Sequence, residues 1–315
     1  MSECAIPEGR RVVRLIAKDS NGRIIDSLEV SGPNAGTNGQ QSGVEMGDGE
    51  LKDMWHARRS REETVLVGIP GATPGPDQVE VRRWMMRLVT KQTDHHTWEE
   101  VERRLWRLTS PDRVGGRTGF FVIQYVERNG EGREITVKRT GTPEPESKTY
   151  AGQRGHESWT FEVTAYDPWW YGEAASARWV APAGSSGVVL ELANRGDQMG
   201  HLHFVFPAAN GPATWTVPDG VGTYPDSHEK AGQIITHTLP QIPAGKHAEA
   251  SQRPDKLPFR IIGLPMSFGM MKQARLTHPL EPSMHAYELP VSVETSATDA
   301  AVEIQLVPAF DRPHS

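Results

Sequence analysis

Residues 158–172 read SWTFEVTAYDPWWYG, and they divide the chain into two β-rich halves. Trp159, Phe161, Val163 and Ala165 alternate with Thr160, Glu162 and Thr164, the period of two that puts one face of a strand in a core and the other toward solvent. Asp167-Pro168 then interrupts the ladder, because proline fixes φ and has no amide proton to donate. Trp169, Trp170 and Tyr171 follow, closed by Gly172. Three adjacent aromatics cannot all point one way, so at least one is expected at the joint between two packed units, where a rigid ring buries much area at small entropic cost. An aromatic corner inside a single sheet is the plainer alternative.

Working outward, residues 11–30 predict a hairpin: Val12, Val13, Leu15 and Ile16 lead to Asn21-Gly22, which tolerates the positive φ of a tight turn, and Ile24, Ile25, Leu28 and Val30 follow. Residues 31–49 are rich in Gly, Asn, Ser and Gln and poor in apolar side chains, so an exposed or partly disordered loop is expected. Strands are expected at 65–69 and 79–89, separated by PGATPGPD at 70–77, whose prolines and glycines argue against a ladder. Thr97 and Glu100 form a capping box, Trp98, Val101, Leu105 and Leu108 share one helical face, and Ser110-Pro111 stops the run, predicting one helix over about 97–109 that packs on a sheet. Arg103, Arg104 and Arg107 lie on it beside glutamates, as a solvated face does. Residues 120–127 and 134–139 flank an Asn129-Gly130 turn, a second hairpin, and 141–155 read as a connector.

Beyond the central stretch, strands are expected at 174–181, 188–193, 201–206 and 215–217, with turns at 194–197 and at Pro218-Asp219-Gly220. Residues 246–283 show little strand pattern and read as a loop insertion, with Met266, Phe268, Met270 and Met271 as adaptable apolar contacts. Residues 287–294 and 301–307 alternate cleanly and suit the last hairpin of a sandwich.

The 315 residues suffice for two domains with proper cores. The formal net charge of −6, well mixed along the chain, argues against a nucleic-acid binder. One cysteine, Cys4, excludes an intrachain disulfide and a cysteine-built zinc site. No apolar run is long enough for membrane insertion, and no basic-then-apolar leader is visible, so synthesis in a cytoplasm is expected.

Catalytic motifs are missing: no P-loop, dinucleotide fingerprint or HExxH occurs, and no carboxylate pair is placed for glycosidase work. His201 and His203 share one strand face without a recognisable third ligand, so they read as a solvent-facing pair. His95-His96 precede the helix. Gly184-Ser185-Ser186-Gly187 lacks the nucleophile-elbow spacing and reads as a turn. Arg195-Gly196-Asp197 spells an adhesion tripeptide made of ordinary turn formers. No catalytic, cofactor-binding or metal residue is assigned, and no enzyme or cofactor is expected.

DPWWYG at 167–172, ELANRGDQMGHLHFVF at 191–206, TWTVPDG at 214–220, THTLPQIPAG at 236–245 and the terminal Arg312-Pro313 resemble, in this order and spacing, the distal tail proteins (minor tail proteins) of long-tailed bacteriophages, above all those of actinobacterial phages. The resemblance implies a mainly β chain: an N-terminal ring-forming belt domain with one α-helix at about 1–165 and a C-terminal galectin-like β-sandwich at about 166–315. It implies a structural virion protein of the tail tip, made in the host bacterial cytoplasm. In a homo-oligomer, a hexamer, its ring would join the tail tube protein to the tail-tip hub protein and the adhesion apparatus. A different class, a carbohydrate-binding module for a host cell-surface glycan, would use Trp169, Trp170, Trp179 and Trp215 as stacking platforms. A cell-wall hydrolase is the third reading.

Overall fold

The computed structural model describes residues 11–19, 22–37, 42–47, 52–65, 72–112, 118–147, 154–221, 232–253, 257–265, 268–283 and 285–314. The protein is mainly β, with large antiparallel sheets. It divides into two compact units, Met1–Tyr171 with Asp311–Ser315, and Gly172–Phe310.

The first unit contains, in chain order, β1 (Val12–Lys18), β2 (Ile24–Ser31), β3 (Val44–Met46), α1 (Lys52–Trp55), β4 (Arg59–Val65), β5 (Ala72–Val79), β6 (Arg82–Lys91), α2 (Trp98–Leu108), β7 (Phe121–Val126), β8 (Gly132–Arg139), β9 (Glu144–Pro145), β10 (His156–Ala165) and β11 (Trp170–Tyr171). Antiparallel ladders join β2, β1, β7, β8, β10, β6 and β3 in that order. The alternation in the central stretch is real: β10 pairs with β6 along its whole length and buries Phe161, Val163 and Ala165 fully. Trp159 is half-buried and meets Trp106 edge-on at 5.1 Å. After the proline, Asp167 accepts from the Trp169 amide and the Tyr171 hydroxyl, at 3.4 and 2.7 Å, and β11 rejoins the sheet against β8.

The first hairpin forms as read, with Gly22 at φ +80° donating to the Asp19 carbonyl; Asn21 lies outside the described residues. So does the second, β7 with β8. Helix α2 has both halves of the capping box: the Glu100 amide donates to Thr97 Oγ1 (3.3 Å) and the Thr97 amide to Glu100 Oε2 (2.9 Å). Trp98, Val101, Leu105 and Leu108 are buried, and the Trp98 indole donates to Thr90 Oγ1 on β6 at 3.0 Å.

Two expectations for this unit are corrected. Residues 31–49 are not simply an exposed loop: β3 pairs with β6, Ala35 and Val44 are buried, and the Gly43 amide donates to the Gly36 carbonyl at 2.8 Å. Gly43, at φ +72°, has Val101 2.5 Å from where a Cβ would sit, so glycine here reflects close approach to α2. The Pro/Gly run 70–77 also does not separate two strands. It runs into β5, whose Pro74 pairs with Glu63 of β4. Prolines are tolerated because β4 and β5 form a sheet of two strands, where one side of each has no ladder to satisfy. Residues 66–69, expected as strand, lie outside the described residues. The connector 141–155 contributes β9, paired with β10.

The second unit contains β12 (Ala175–Val180), β13 (Gly184–Leu192), β14 (Gln198–Phe206), β15 (Ala213–Val221), β16 (Ile234–Thr238), β17 (Ala248–Ser251), β18 (Phe259–Ile261), α3 (Phe268–Gln273), β19 (Tyr287–Thr295) and β20 (Ala301–Phe310). One sheet runs β12-β20-β14-β17-β18 and the other β13-β19-β15-β16. Leu202, Phe204 and Phe206 of the first and Trp215, Val217, Leu289, Val291 and Val293 of the second share one core. The centroids of Phe206 and Trp215 are 5.4 Å apart.

Here the strand pattern misled in four places. Gly184 to Gly187 begin β13 and are not a turn; their small side chains lie opposite residues 292–295 on β19. Pro218, Asp219 and Gly220 lie within β15, at a register shift that absorbs Gly220's φ of +86°. Residues 246–283 are no loop insertion: β17 and β18 extend a sheet, and Ala274, Leu276 and Leu280 are buried in the core, with Met270 against it. Finally, β19 and β20 are not a hairpin, because they lie in opposite sheets.

Replacing Thr97 with alanine removes the cap of α2 and is expected to lower stability by about 1 kcal/mol without loss of fold, measured by urea unfolding.

Candidate functional site

A guanidinium cannot be buried without partners, since its desolvation costs several kcal/mol. The side chain of Arg82, at the start of β6, is 0% exposed. Its Nη1 donates to the Met54 carbonyl (3.2 Å) and its Nη2 to the backbone and side-chain oxygens of Asp311 (2.7 and 3.3 Å). Asp311 Oδ1 also accepts from the Ala57 amide at 3.1 Å. Arg133 Nη1 donates to the Arg312 carbonyl at 2.8 Å, and His314 packs on Trp55 at 5.4 Å. Trp170, fully buried, donates from its indole to Met54 O at 3.3 Å. The C-terminal residues, α1 and β11 are thus clasped together where β4 and β5 begin and end, and the Glu80 amide closes that root on the Arg58 carbonyl. An open recess of about 310 Å³ lies there, lined by Arg58, Glu80, Val81 and Arg83. The arrangement holds no nucleophile; chemically it is a rigid mount for a two-stranded arm.

In the second unit Asp219 is 0% exposed and serves as an acceptor hub. Its Oδ1 takes the Thr277 and His278 amides (2.6 and 3.2 Å) and Gln252 Nε2 (3.1 Å), while Oδ2 faces His278 Nδ1 (2.8 Å) and His237 Nε2 (3.2 Å). Two backbone amides, one side-chain amide and two imidazoles make up the shell, so the carboxyl straps residues 277–278 to β15 and β16. Glycine follows it because a Cβ at Gly220 would lie 1.9 Å from the His278 carbonyl. Nothing in the sequence pattern pointed to this hub, because Pro-Asp-Gly is the composition of a turn.

Other sequence candidates fall as follows. His201 and His203 are half-buried on β14, and among the described residues no group of three or more His, Cys, Asp or Glu is placed to hold a metal ion. His95 and His96 are exposed. The Arg195-Gly196-Asp197 turn joins opposite sheets and is set by buried Asn194, which donates to the Gln198 and Leu280 carbonyls (2.9 Å each) and accepts from the Gly196 amide. Of the four tryptophans considered for sugar stacking, Trp170 and Trp215 are core residues at 0% and 1% exposure, and half-buried Trp179 packs edge-on against Trp215 at 6.0 Å. The α2 arginines are not merely solvated: Arg104 makes a bidentate pair with Asp26, Nε to Oδ2 at 3.3 Å and Nη2 to Oδ1 at 2.8 Å, and Arg107 also approaches that carboxyl at 3.8 Å. No helix among the described residues is long and apolar enough to cross a membrane.

Two glutamates near Trp106 are shifted in opposite directions. Burial raises the Glu102 carboxyl above its usual range, partly offset by a hydrogen bond with Trp106, and Glu157 and Glu99 add repulsion. At Glu157 burial also pushes upward, but hydrogen bonds from Ser147 Oγ and the Ser158 and Ser147 amides, with the Arg154 charge, outweigh it and hold the carboxyl low. A depressed folded-state value stabilises above the unfolded carboxylate range, near about pH 4.3, and that contribution is lost as pH falls through the folded value; Glu102 has the opposite sign. Glu157→Gln is therefore expected to cost about 2 kcal/mol near neutral pH and to make stability fall less steeply on the acid side, as read from urea titrations across that range.

No protein-family model matches the chain, and no curated protein matches it. Among solved structures it is similar to a chain of the phage P2 baseplate in its activated conformation with Ca, with TM-score 0.53 and 10% identity over 95% of this chain and 98% of that one. It is also similar to the phage SPP1 Dit (gp 19.1) protein, described as a paradigm of the hub adsorption apparatus of phages that infect Gram-positive hosts, with TM-score 0.47 and 10% identity over 85% and 91% of the two chains.

Proposed function

We propose that this chain is a structural, non-catalytic subunit of a phage tail tip. In this reading a hexameric ring of copies joins the tail tube protein to the tail-tip hub and adhesion proteins, in a phage of the actinobacterial type. The observation that carries the reading is the fold shared with the P2 baseplate chain across nearly the whole of both chains. The order of motifs from DPWWYG to Arg312-Pro313 points the same way. The unit Met1–Tyr171 takes the part of the ring-forming belt and Gly172–Phe310 that of the galectin-like sandwich.

The two-stranded sheet of β4 and β5 supports assembly on physical grounds. An isolated hairpin is marginal in water and gains stability only against a third strand or another surface. A ring supplies such a surface at every joint, because head-to-tail contacts close when each subunit presents two complementary patches. The glycan-binding alternative draws less support, since two of its four tryptophans are core.

Six copies of a 34.9 kDa chain give roughly 209 kDa. Light scattering on the gel-filtered protein is expected to read that mass, with closed rings in negative stain. A monomer both alone and mixed with its tail-tube and hub partners would remove the reading.

A further inference from the structure

In the second unit β12 ends one sheet and β13 ends the other, and the two strands follow each other in the chain and touch, so both open edges lie along one flank. An end strand leaves backbone amides and carbonyls without a ladder, and these are a template for another strand unless the edge is blunted. Among the described residues β13 shows no blunting device. It is nine residues long, it pairs with β19 at every position without a bulge, and its sequence GSSGVVLEL has neither proline nor lysine. Val189 is exposed on it.

The core is also unfinished along this flank. Val188 and Leu190 pack inward and are half-buried, whereas Val291 and Leu289, directly opposite them on β19, are 2% and 0% exposed. Ala177 and Trp179 on β12 are half-buried too, with Ile304 and Val302 opposite them fully buried. A place at the end of a sheet does not by itself expose such residues. At the other end of the first sheet β18 buries Phe259 and Ile261, and Ala274 and Leu276 join the same core. Ser186 Oγ, on the inward face of β13, is shielded from solvent and has no hydrogen-bond partner among the described residues. One further strand against β13 would bond the open backbone edge and cover Val188 and Leu190 with its inward side chains.

Charge on the outward face selects the occupant. Glu191 on β13 lies directly opposite Glu288 on β19, and Glu294 stands further along β19 on the same face. All three are exposed, and none has an ion-pair or hydrogen-bond partner among the described residues. Like charges in direct cross-strand register are destabilising, and a cation beside Glu191 would relieve them. The other open edge lacks this excess, because Arg178 on β12 lies opposite Glu303 on β20. A second copy of β13 would answer the edge but not the charge: paired antiparallel about Val188, it would set Ser185 beside Glu191 and leave the carboxylates unmatched. We propose that β13 is the docking edge for an extended segment of a partner protein that alternates basic and apolar side chains. Its Lys or Arg residues lie over Glu191 and Glu288, and its apolar residues lie over Val188 and Leu190. The pairing chemistry is independent of the tail-tip reading, because it fixes the residue types of the segment and not the protein that carries it.

The test uses the full chain and fluorescence anisotropy with three short labelled peptides: alternating Lys and Val, alternating Glu and Val, and the Lys–Val peptide with N-methylated backbone amides. The Lys–Val peptide is expected to bind saturably and to weaken as salt rises. The N-methylated peptide, which cannot donate ladder bonds, is expected not to bind. Glu191→Lys is expected to weaken the Lys–Val peptide about tenfold and to let the Glu–Val peptide bind in its place. That variant exchanges a like-charge pair with Glu288 for an opposite one, so its urea midpoint is expected to be no lower than that of the wild type. Lack of saturable binding, equal binding of the Glu–Val peptide, or an unchanged affinity in Glu191→Lys overturns the proposal. Equal binding of the N-methylated peptide also overturns it and leaves only attraction to surface charge. Light scattering on the same samples covers the remaining occupant: a particle mass that falls as the peptide saturates the chain means that a second copy holds β13, and this too overturns the proposal. A chain that binds the peptide but forms no ring counts against the ring alone.

Discussion

The first unit is organised by the need to satisfy one buried positive charge. Arg82 begins β6, the strand that carries β10 on one side and β3 on the other, and its guanidinium is out of reach of water. Partners come to it from distant parts of the chain: the Met54 carbonyl of α1 and the oxygens of Asp311 some two hundred residues later. Removing either partner would leave charge in a medium that solvates it poorly, so the C-terminal residues are as much a part of this unit's core as the strands are. Trp170 draws on the same Met54 carbonyl, which ties the aromatic corner after β10 into the same knot.

The second unit uses a buried acceptor for a similar purpose. Asp219 has its amide and imidazole donors supplied by residue 237 in β16, residue 252 just past β17, and residues 277 and 278 between α3 and β19. Residues 277 and 278, outside any strand, are thus held to the sandwich by polar bonds that supplement apolar burial. Each unit thus uses a buried polar side chain to position backbone that hydrophobic pattern alone leaves free.

This explains what could be read from the sequence. The strands with clean alternation, β10 and β14 among them, the helix with its Thr97–Glu100 box, and the Asn-Gly hairpins are local features, and the residues that make them sit within a few positions of one another. The β18 strand, the turn around Gly43 and the β15 bulge are set by contacts with residues far away in sequence, such as Val101 or His278, so Gly, Pro and Asp there were read by composition as loops. The separation of β19 from β20 into facing sheets is likewise invisible to alternation, which gives the face of a strand but not its neighbour. The clasp gave no sequence signal beyond an unremarkable arginine at the head of a strand. The α2 arginines were legible as a cluster, but their link to Asp26 on another strand was not.

The return of the C-terminal residues to the first unit makes the second unit an insertion with two covalent joints instead of an appendage with one. Its two ends also meet, since the Gly172 amide donates to the Pro308 carbonyl at 3.0 Å. An insert whose ends are already together imposes little loop-closure cost on its host. The sandwich is thereby a cassette: its loops and even its length can drift under selection for new surfaces while residues 311 and 312 stay bonded into the host.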